Sequence, residues 1–297
     1  MQTSGAYTII EATVLNYKQH DAVEWLIHAC TEFDGTEMPL HIECTGSNTH
    51  TEKNHFLAYY NEELIGFMSF PPEHEIEAVG VVHHVHRRKG VGRMLCEAVK
   101  AACRLRGNAT FLLVSEATVR CGSVFAEAVG GNYRFSEYRM ELTPALFSRN
   151  MPKGEVVLLQ CVGEVDLETL LSIQAAAFRR PTEEQSRSRM ARWLSEPNQR
   201  LYLGFLGGES IGMLRVGSED MPSGHQSVYI NSFGILPECQ GRGYGKQMLL
   251  GIVELLLGES WDHIRIEVNV ENKNALSLYQ SCGFVETSEY RYYDVQA

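Results

Sequence analysis

No stretch of this sequence approaches the run of about 18 apolar residues that a membrane-spanning helix requires. The nearest, Met248 to Gly258, is short and carries Glu254 in its middle. Met1-Gln2-Thr3-Ser4-Gly5 has no basic segment leading into an apolar one, so secretion is not expected. The eight cysteines include no C-x-x-C pair, and their wide, irregular spacing reads as reduced thiols of a cytoplasmic protein. A basic excess is also missing: 26 Lys and Arg face 37 Asp and Glu, for a net charge of −11. The deficit is shared, with 13 basic and 18 acidic residues in 1–150 and 13 and 19 in 151–297. Nucleic acid is therefore not an expected partner, and neither is a membrane. An acidic body instead attracts cationic substrates at long range.

What is present is an ordinary globular composition, 44% apolar and 21% charged, over 297 residues. That length favours two domains over one. An internal repeat supports the division. Arg87-Arg88-Lys89-Gly90-Val91-Gly92-Arg93-Met94-Leu95 matches Gln240-Gly241-Arg242-Gly243-Tyr244-Gly245-Lys246-Gln247-Met248-Leu249, with Gly90 and Gly243 separated by 153 positions. Upstream, Glu63-Leu64-Ile65-Gly66 resembles Glu209-Ser210-Ile211-Gly212, and downstream Ser136-Glu137-Tyr138-Arg139 recurs as Ser288-Glu289-Tyr290-Arg291. Three blocks in one order at nearly constant offset make the chain two copies of one domain, residues 1–150 and 151–297. The linker is expected near Ser148–Glu155, where Asn150, Pro152 and Gly154 break periodicity.

The second copy shows the clearer grammar. A strand is expected near Val156–Leu159, then a helix from Asp166 to Phe178 and another from Thr182, where Thr182-Glu183-Glu184-Gln185 has capping-box form. Leu201–Leu206 and Ile211–Val216 flank Gly207-Gly208-Glu209-Ser210, a hairpin signal. A strand over Val228–Leu236, a helix over Tyr244–Gly258, a strand over Ile264–Val270, a short helix over Asn274–Cys282 and a hairpin over Phe284–Val295 complete the unit. The fold class is α/β, each copy a mixed, mostly antiparallel sheet flanked by helices.

Chemistry is concentrated in the glycine loop. A strand ending near Leu236, then Gln240-x-x-Gly243-x-Gly245, then a helix, presents backbone N–H groups and a helix dipole to an anion, and phosphate fits them well. A dinucleotide fingerprint would need glycine where Lys246 stands. A P-loop would need one more residue after Gly241 and a hydroxyl where Gln247 stands. Both expect a parallel βαβ setting, whereas hairpin signals precede this loop.

The pattern that does match, [QR]-x-x-G-x-[GA], resembles the signature of GNAT-superfamily N-acetyltransferases. It occurs as Gln240-x-x-Gly243-x-Gly245 and again as Arg87-x-x-Gly90-x-Gly92. The second copy adds that family's later block, N-x-x-A-x-x-L-Y-x-x-x-G-F, from Asn272 through Ala275, Leu278 and Tyr279 to Gly283-Phe284. The resemblance implies two tandem GNAT-like domains, acetyl-CoA as co-substrate, and transfer of its acetyl group to a small-molecule or peptide amine. It places the pyrophosphate on Gly241, Arg242, Gly243, Tyr244, Gly245 and Lys246. The pantetheine arm then lies along Phe233, Gly234 and Ile235, one N–H of which faces the thioester oxygen. Asn272 holds the cofactor from the other side, Tyr279 acts as general acid, and Glu267 or a water relay acts as base. Glu267 also reads as an alternating polar residue in step with Arg265 and Asn269, and Asn231 stands where other members carry a glutamate.

The first copy keeps the loop but replaces the later block with Gly122-Ser123-Val124-Phe125-Ala126-Glu127-Ala128-Val129-Gly130-Gly131. Phe125 is expected where the tyrosine belongs, and a phenyl ring donates no proton. This copy reads as a retained fold with lost chemistry. His83-His84-x-His86 and the set His41, Cys44, His50 and His55 lack recognisable zinc spacing, so no metal is expected. The leading reading is an N-acetyltransferase with one working site in residues 151–297, and a homodimer is a possible assembly. The alternative is a non-catalytic CoA-binding or regulatory protein.

Overall fold

The computed structural model describes residues 6–36, 38, 40, 52–71, 76–147, 157–179, 184–220 and 226–297. The expected linker and the positions Thr182, His41, Cys44 and His50 lie outside them. In the first half, β1 (Tyr7–Ala12), α1 (Tyr17–Asp34), β2 (His55–Tyr60), β3 (Glu63–Ser69), β4 (Glu77–Val82), α2 (Val91–Leu105), β5 (Thr110–Glu116), α3 (Arg120–Ala128) and β6 (Asn132–Leu142) follow one another. Among the described residues the second half follows the same order with one further helix, α5: β7 (Leu158–Val162), α4 (Leu167–Phe178), α5 (Glu184–Ser195), β8 (Gln199–Leu206), β9 (Glu209–Asp220), β10 (Gln226–Ile235), α6 (Tyr244–Leu257), β11 (His263–Asn269), α7 (Lys273–Gln280) and β12 (Phe284–Gln296).

The chain forms two compact units, and they cut across the division at residue 150. One comprises Met1–Glu137 with Ser288–Ala297, the other Tyr138–Thr287. Pairing is the reason. Residues Tyr290–Gln296 of β12 run antiparallel to β5, from Glu116 back to Thr110. Sheet order in the first unit is β1-β2-β3-β4-β5-β12-β6, and in the second β6-β11-β10-β9-β8-β7. The hairpin expected over Phe284–Val295 is instead this one strand, because no Gly, Pro or Asn interrupts it.

Each unit buries a helix on either face of its sheet. In the second, Met248, Leu249, Ile252, Val253 and Leu256 of α6 pack on Val228, Ile230, Ile264 and Ile266, while Leu170, Ile173, Met190 and Trp193 of α4 and α5 cover Leu201, Leu203 and Met213. The Gly204–Gly212 register pair lets α6 press close, since a Cβ at Gly204 would stand 2.5 Å from Met248 Sδ. Burial of each such side chain is worth about 1.5–3 kcal/mol. This packing fixes the first turn of α6 against the sheet. The β8–β9 hairpin turns on Gly207 (φ 59°) and Gly208 (φ 93°), the two positive φ angles that a two-residue primed turn demands.

Candidate active site

In the second unit the site begins where two parallel strands separate. Strands β10 and β11 pair from Ser227/His263 to Ile230/Ile266 and no further. Beyond Ile230, β10 carries a bulge against β9: Asn231 pairs with Arg215, but the next pair is Gly234 with Met213. Ser232, inside the bulge, takes a left-handed φ of 48°. A bulge re-aims backbone groups at the edge of a sheet. It therefore turns the Phe233–Ile235 segment, whose edge on the β11 side is unpaired, toward the gap between the strands. Gly234 is required there because α4 comes close, and a Cβ would sit 2.8 Å from that of Ala177.

A short 3-10 turn at Pro237–Cys239 leads into the glycine loop. Gln240 closes it by donating from Nε2 to the Ile235 carbonyl at 2.9 Å. Gly241 and Gly243 have φ of 74° and 87°, which L side chains rarely adopt, and a Cβ on Gly241 would meet nothing within 4 Å. Both glycines are thus demanded by backbone conformation, and Gly241 stands beside open space. The first helical bond of α6 runs from Gln247 N to Gly243 O at 3.1 Å. Among the described residues, the amides of Gly241, Arg242, Gly243, Gly245 and Lys246 have no protein acceptor. The donor set and the bare cradle suit a diphosphate.

Helix α7 supplies the other wall. Asn272 caps it, its Oδ1 accepting from Ala275 N at 3.1 Å. That bond gives the Asn272 oxygen a structural task that the sequence reading did not include. Tyr279 is buried, its ring 6.4 Å from those of both Phe233 and Phe284. Leu278 and Phe233 both approach Gly245, at 3.6 and 3.8 Å from where its Cβ would be. The bulge, the loop and the tyrosine helix therefore converge. Burial pushes the Tyr279 phenol well above its usual range, so the hydroxyl is retained as a donor. It makes no hydrogen bond among the described residues.

The opposite sheet face carries a polar cluster. His263, Arg265, Glu267 and Asn269 alternate along β11. Arg139, on β6, donates from Nε to Glu267 Oε1 at 3.2 Å. Glu141 takes His263 Nδ1 at 2.8 Å and Arg265 Nε at 3.2 Å, and Arg265 donates to the Tyr229 hydroxyl. The sequence reading identified Glu267 but missed Arg139, Glu141 and Tyr229. A signal existed for Arg139, which closes the repeated Ser-Glu-Tyr-Arg block.

The first unit repeats the scaffold with an exact backbone match in the loop. Arg88 (φ 62°) and Gly90 (φ 88°) mirror Gly241 and Gly243. Arg87 Nε caps the Val82 carbonyl at 2.8 Å, and Met94 N bonds Gly90 O at 3.0 Å. The residues proposed for chemistry in the second unit are not matched there. Val79–Val82 of β4 pair with Ser69–Gly66 of β3 in unbroken register, without a bulge. Val114 stands where Glu267 does, at the same offset of 153. Phe125 does not occupy the tyrosine position as expected. Gly130 (φ 88°) matches Gly283 (φ 96°), and counting back from them sets Ala126 against Tyr279 and Phe125 against Leu278. Phe125 accordingly lies on Gly92, 3.1 Å from its would-be Cβ, as Leu278 lies on Gly245.

The sequence model of the Acetyltransferase (GNAT) family matches residues 20–125 and 167–284, most of both halves. The chain belongs to the GNAT acetyltransferase family. Solved structures agree on the fold. A GCN5-related N-acetyltransferase from Sphaerobacter thermophilus superposes with a TM-score of 0.74 at 17% identity, covering 98% of this GNAT chain and 95% of that one. A tandem GNAT protein from the clavulanic acid biosynthesis pathway gives 0.70 at 13%, covering 98% of each. Relatives in sequence include a mycothiol acetyltransferase of Renibacterium salmoninarum, 27% identical over 69% of this chain and 62% of that protein's length. Another, from Streptomyces scabiei, is 25% identical over 96% and 94%. No helix among the described residues is long and apolar enough to cross a membrane.

Proposed function

We propose that this chain is an acetyl-CoA-dependent N-acetyltransferase whose single working site lies in the second unit. The observation that carries the reading is the convergence of bulge, glycine loop and Tyr279 there, against its absence in the first unit. Bound in that cradle, acetyl-CoA supplies an activated acyl thioester. Amides from Gly241 to Lys246 hold the diphosphate, and Asn272 holds the cofactor from the side of α7. An N–H of the Phe233–Ile235 segment donates to the thioester oxygen as negative charge grows on it, a contact of a kind worth about 2.7–4 kcal/mol. Glu267, directly or through a water, takes a proton from the acceptor's ammonium, and the freed amine attacks the thioester carbon, whose bond to sulfur then breaks. Tyr279 donates its proton to the departing sulfur.

The acceptor we infer is the primary amine of a small molecule, supported by relatives named mycothiol acetyltransferase. The cytoplasm is the compartment we propose. Glu267→Gln keeps the shape and removes the proton acceptor. Steady-state release of free CoA should show kcat/KM lower by roughly 10²-fold or more at pH 7. Activity within about threefold of the parent would move the base to a water held by other groups.

The first unit is expected to be dispensable for chemistry. Gly90→Glu places a carboxylate at its loop, yet turnover should stay within about twofold, since Ala126 and Val114 supply neither acid nor base. Collapse of turnover, with acetyl-CoA binding to the second unit intact by calorimetry, would refute that division of labour.

A further inference from the structure

We infer that Arg139 is a positioning residue for Glu267, so that the base of the second unit is set by a strand encoded in the first repeat. The inference rests on the assignment of Glu267 as base. Arg139 is 4% exposed. Its guanidinium donates from Nε to Glu267 Oε1 and lies over the Tyr229 ring, 5.8 Å from the centroid. Tyr229 pairs in register with Arg265 and accepts from that guanidinium at 3.2 Å, which holds the phenol in turn. The carboxylate is more open than its partner, with 30% of the side chain exposed. One side of Glu267 is thus anchored to a buried, immobilised cation while the group itself reaches the polar face of the sheet.

The repeat provides an internal control. At the offset of 153 that matches Val114 to Glu267 and Gly130 to Gly283, the counterpart of Arg139 is Tyr292, which lies opposite Val114 in the β12–β5 register. Tyr292 is buried in an apolar cluster with Val114 and stacks on Phe135, ring centroids 4.4 Å apart. The Ser-Glu-Tyr-Arg blocks match at 152, so Arg291 falls opposite Ser115 on the other face of the sheet. Where valine replaces the glutamate, an aromatic ring replaces the buried arginine. Where the carboxylate is present, the arginine is present and directed across strands onto it.

The test compares Arg139→Gln, Arg139→Lys, Glu267→Gln and the double variant Arg139→Gln/Glu267→Gln in the full chain. On this reading Arg139→Gln lowers kcat by about 10- to 100-fold, and Arg139→Lys recovers part of the loss. Affinity for acetyl-CoA by calorimetry is unchanged in both. In the Glu267→Gln background the Arg139 substitution costs less than about twofold more, because its action passes through that carboxylate. Multiplicative losses in the double variant would overturn the positioning role, as would full activity in Arg139→Gln while Glu267→Gln is impaired. Should Glu267→Gln stay active, the base assignment itself fails, and the positioning role falls with it. If Arg139→Gln does not fold, Arg139→Lys alone and combined with Glu267→Gln carries the same comparison.

Discussion

Tyr279→Phe should lower kcat by roughly 10²–10⁴-fold and leave the affinity for acetyl-CoA unchanged. The substitution keeps the ring packed between Phe233 and Phe284 and removes only the hydroxyl. Because that hydroxyl has no protein partner among the described residues, its loss breaks no internal hydrogen bond and melting temperature should hold or rise slightly. Pre-steady-state measurement of the acetyl-transfer step decides the matter. A loss below about threefold, with chemistry rate-limiting, would remove Tyr279 from the role of acid. The raised phenol adds a second signature. Burial disfavours the phenolate in the folded protein, so the unfolded chain loses this proton first as pH climbs past about 10. Stability from this group is present below that pH and declines above it. Tyr279→Phe abolishes the decline, and its melting temperature should fall less than the parent's between pH 10 and 11.

Gly243→Glu should weaken acetyl-CoA binding at the second unit by 10²-fold or more. Two effects combine. A non-glycine residue at φ 87° is strained by about 1–2 kcal/mol. The new carboxylate would also face the proposed diphosphate site at the positive end of α6. Gly243→Asn separates them, since asparagine tolerates left-handed backbone and brings no charge. Calorimetric affinity should fall by less than about tenfold for Asn and by far more for Glu. Equal affinities for parent and Glu variants would place the diphosphate elsewhere.

The loop could be read from sequence because its conformation forces composition. Positive φ at 241 and 243 selects glycine, and an exposed helix start selects anions. The Tyr279 block was legible for a related reason, as helix cap, tyrosine and the αL stop at Gly283 have fixed spacing. The bulge was not legible. Ser232 carries the left-handed angle without the glycine that would announce it. Nor was the partner of Glu267, since 128 positions separate it from Arg139 and no local pattern links them. The course of the last strand was hidden similarly. A strand's own residues specify which of its faces is buried, not which neighbour it joins. The misplacement of Phe125 had a different source, an alignment by aromatic type rather than by the Gly130 and Gly283 stops.

The exchange of terminal strands bears on how the molecule is made. Residues Ser288–Ala297 supply the strand beside β5, so the first unit cannot close its sheet while those ten residues are still inside the ribosome. Its sequence emerges first and its fold is finished last. During synthesis of the whole second repeat, the β5 edge is an unpaired row of backbone donors and acceptors, open to mispairing. The second unit meets no such delay, because the part of β6 it needs, Tyr138–Leu142, has already emerged. A nascent chain would thus complete its proposed catalytic half before the other one. Cleavage near residue 150 would not separate two autonomous proteins but would leave each with a strand belonging to the other.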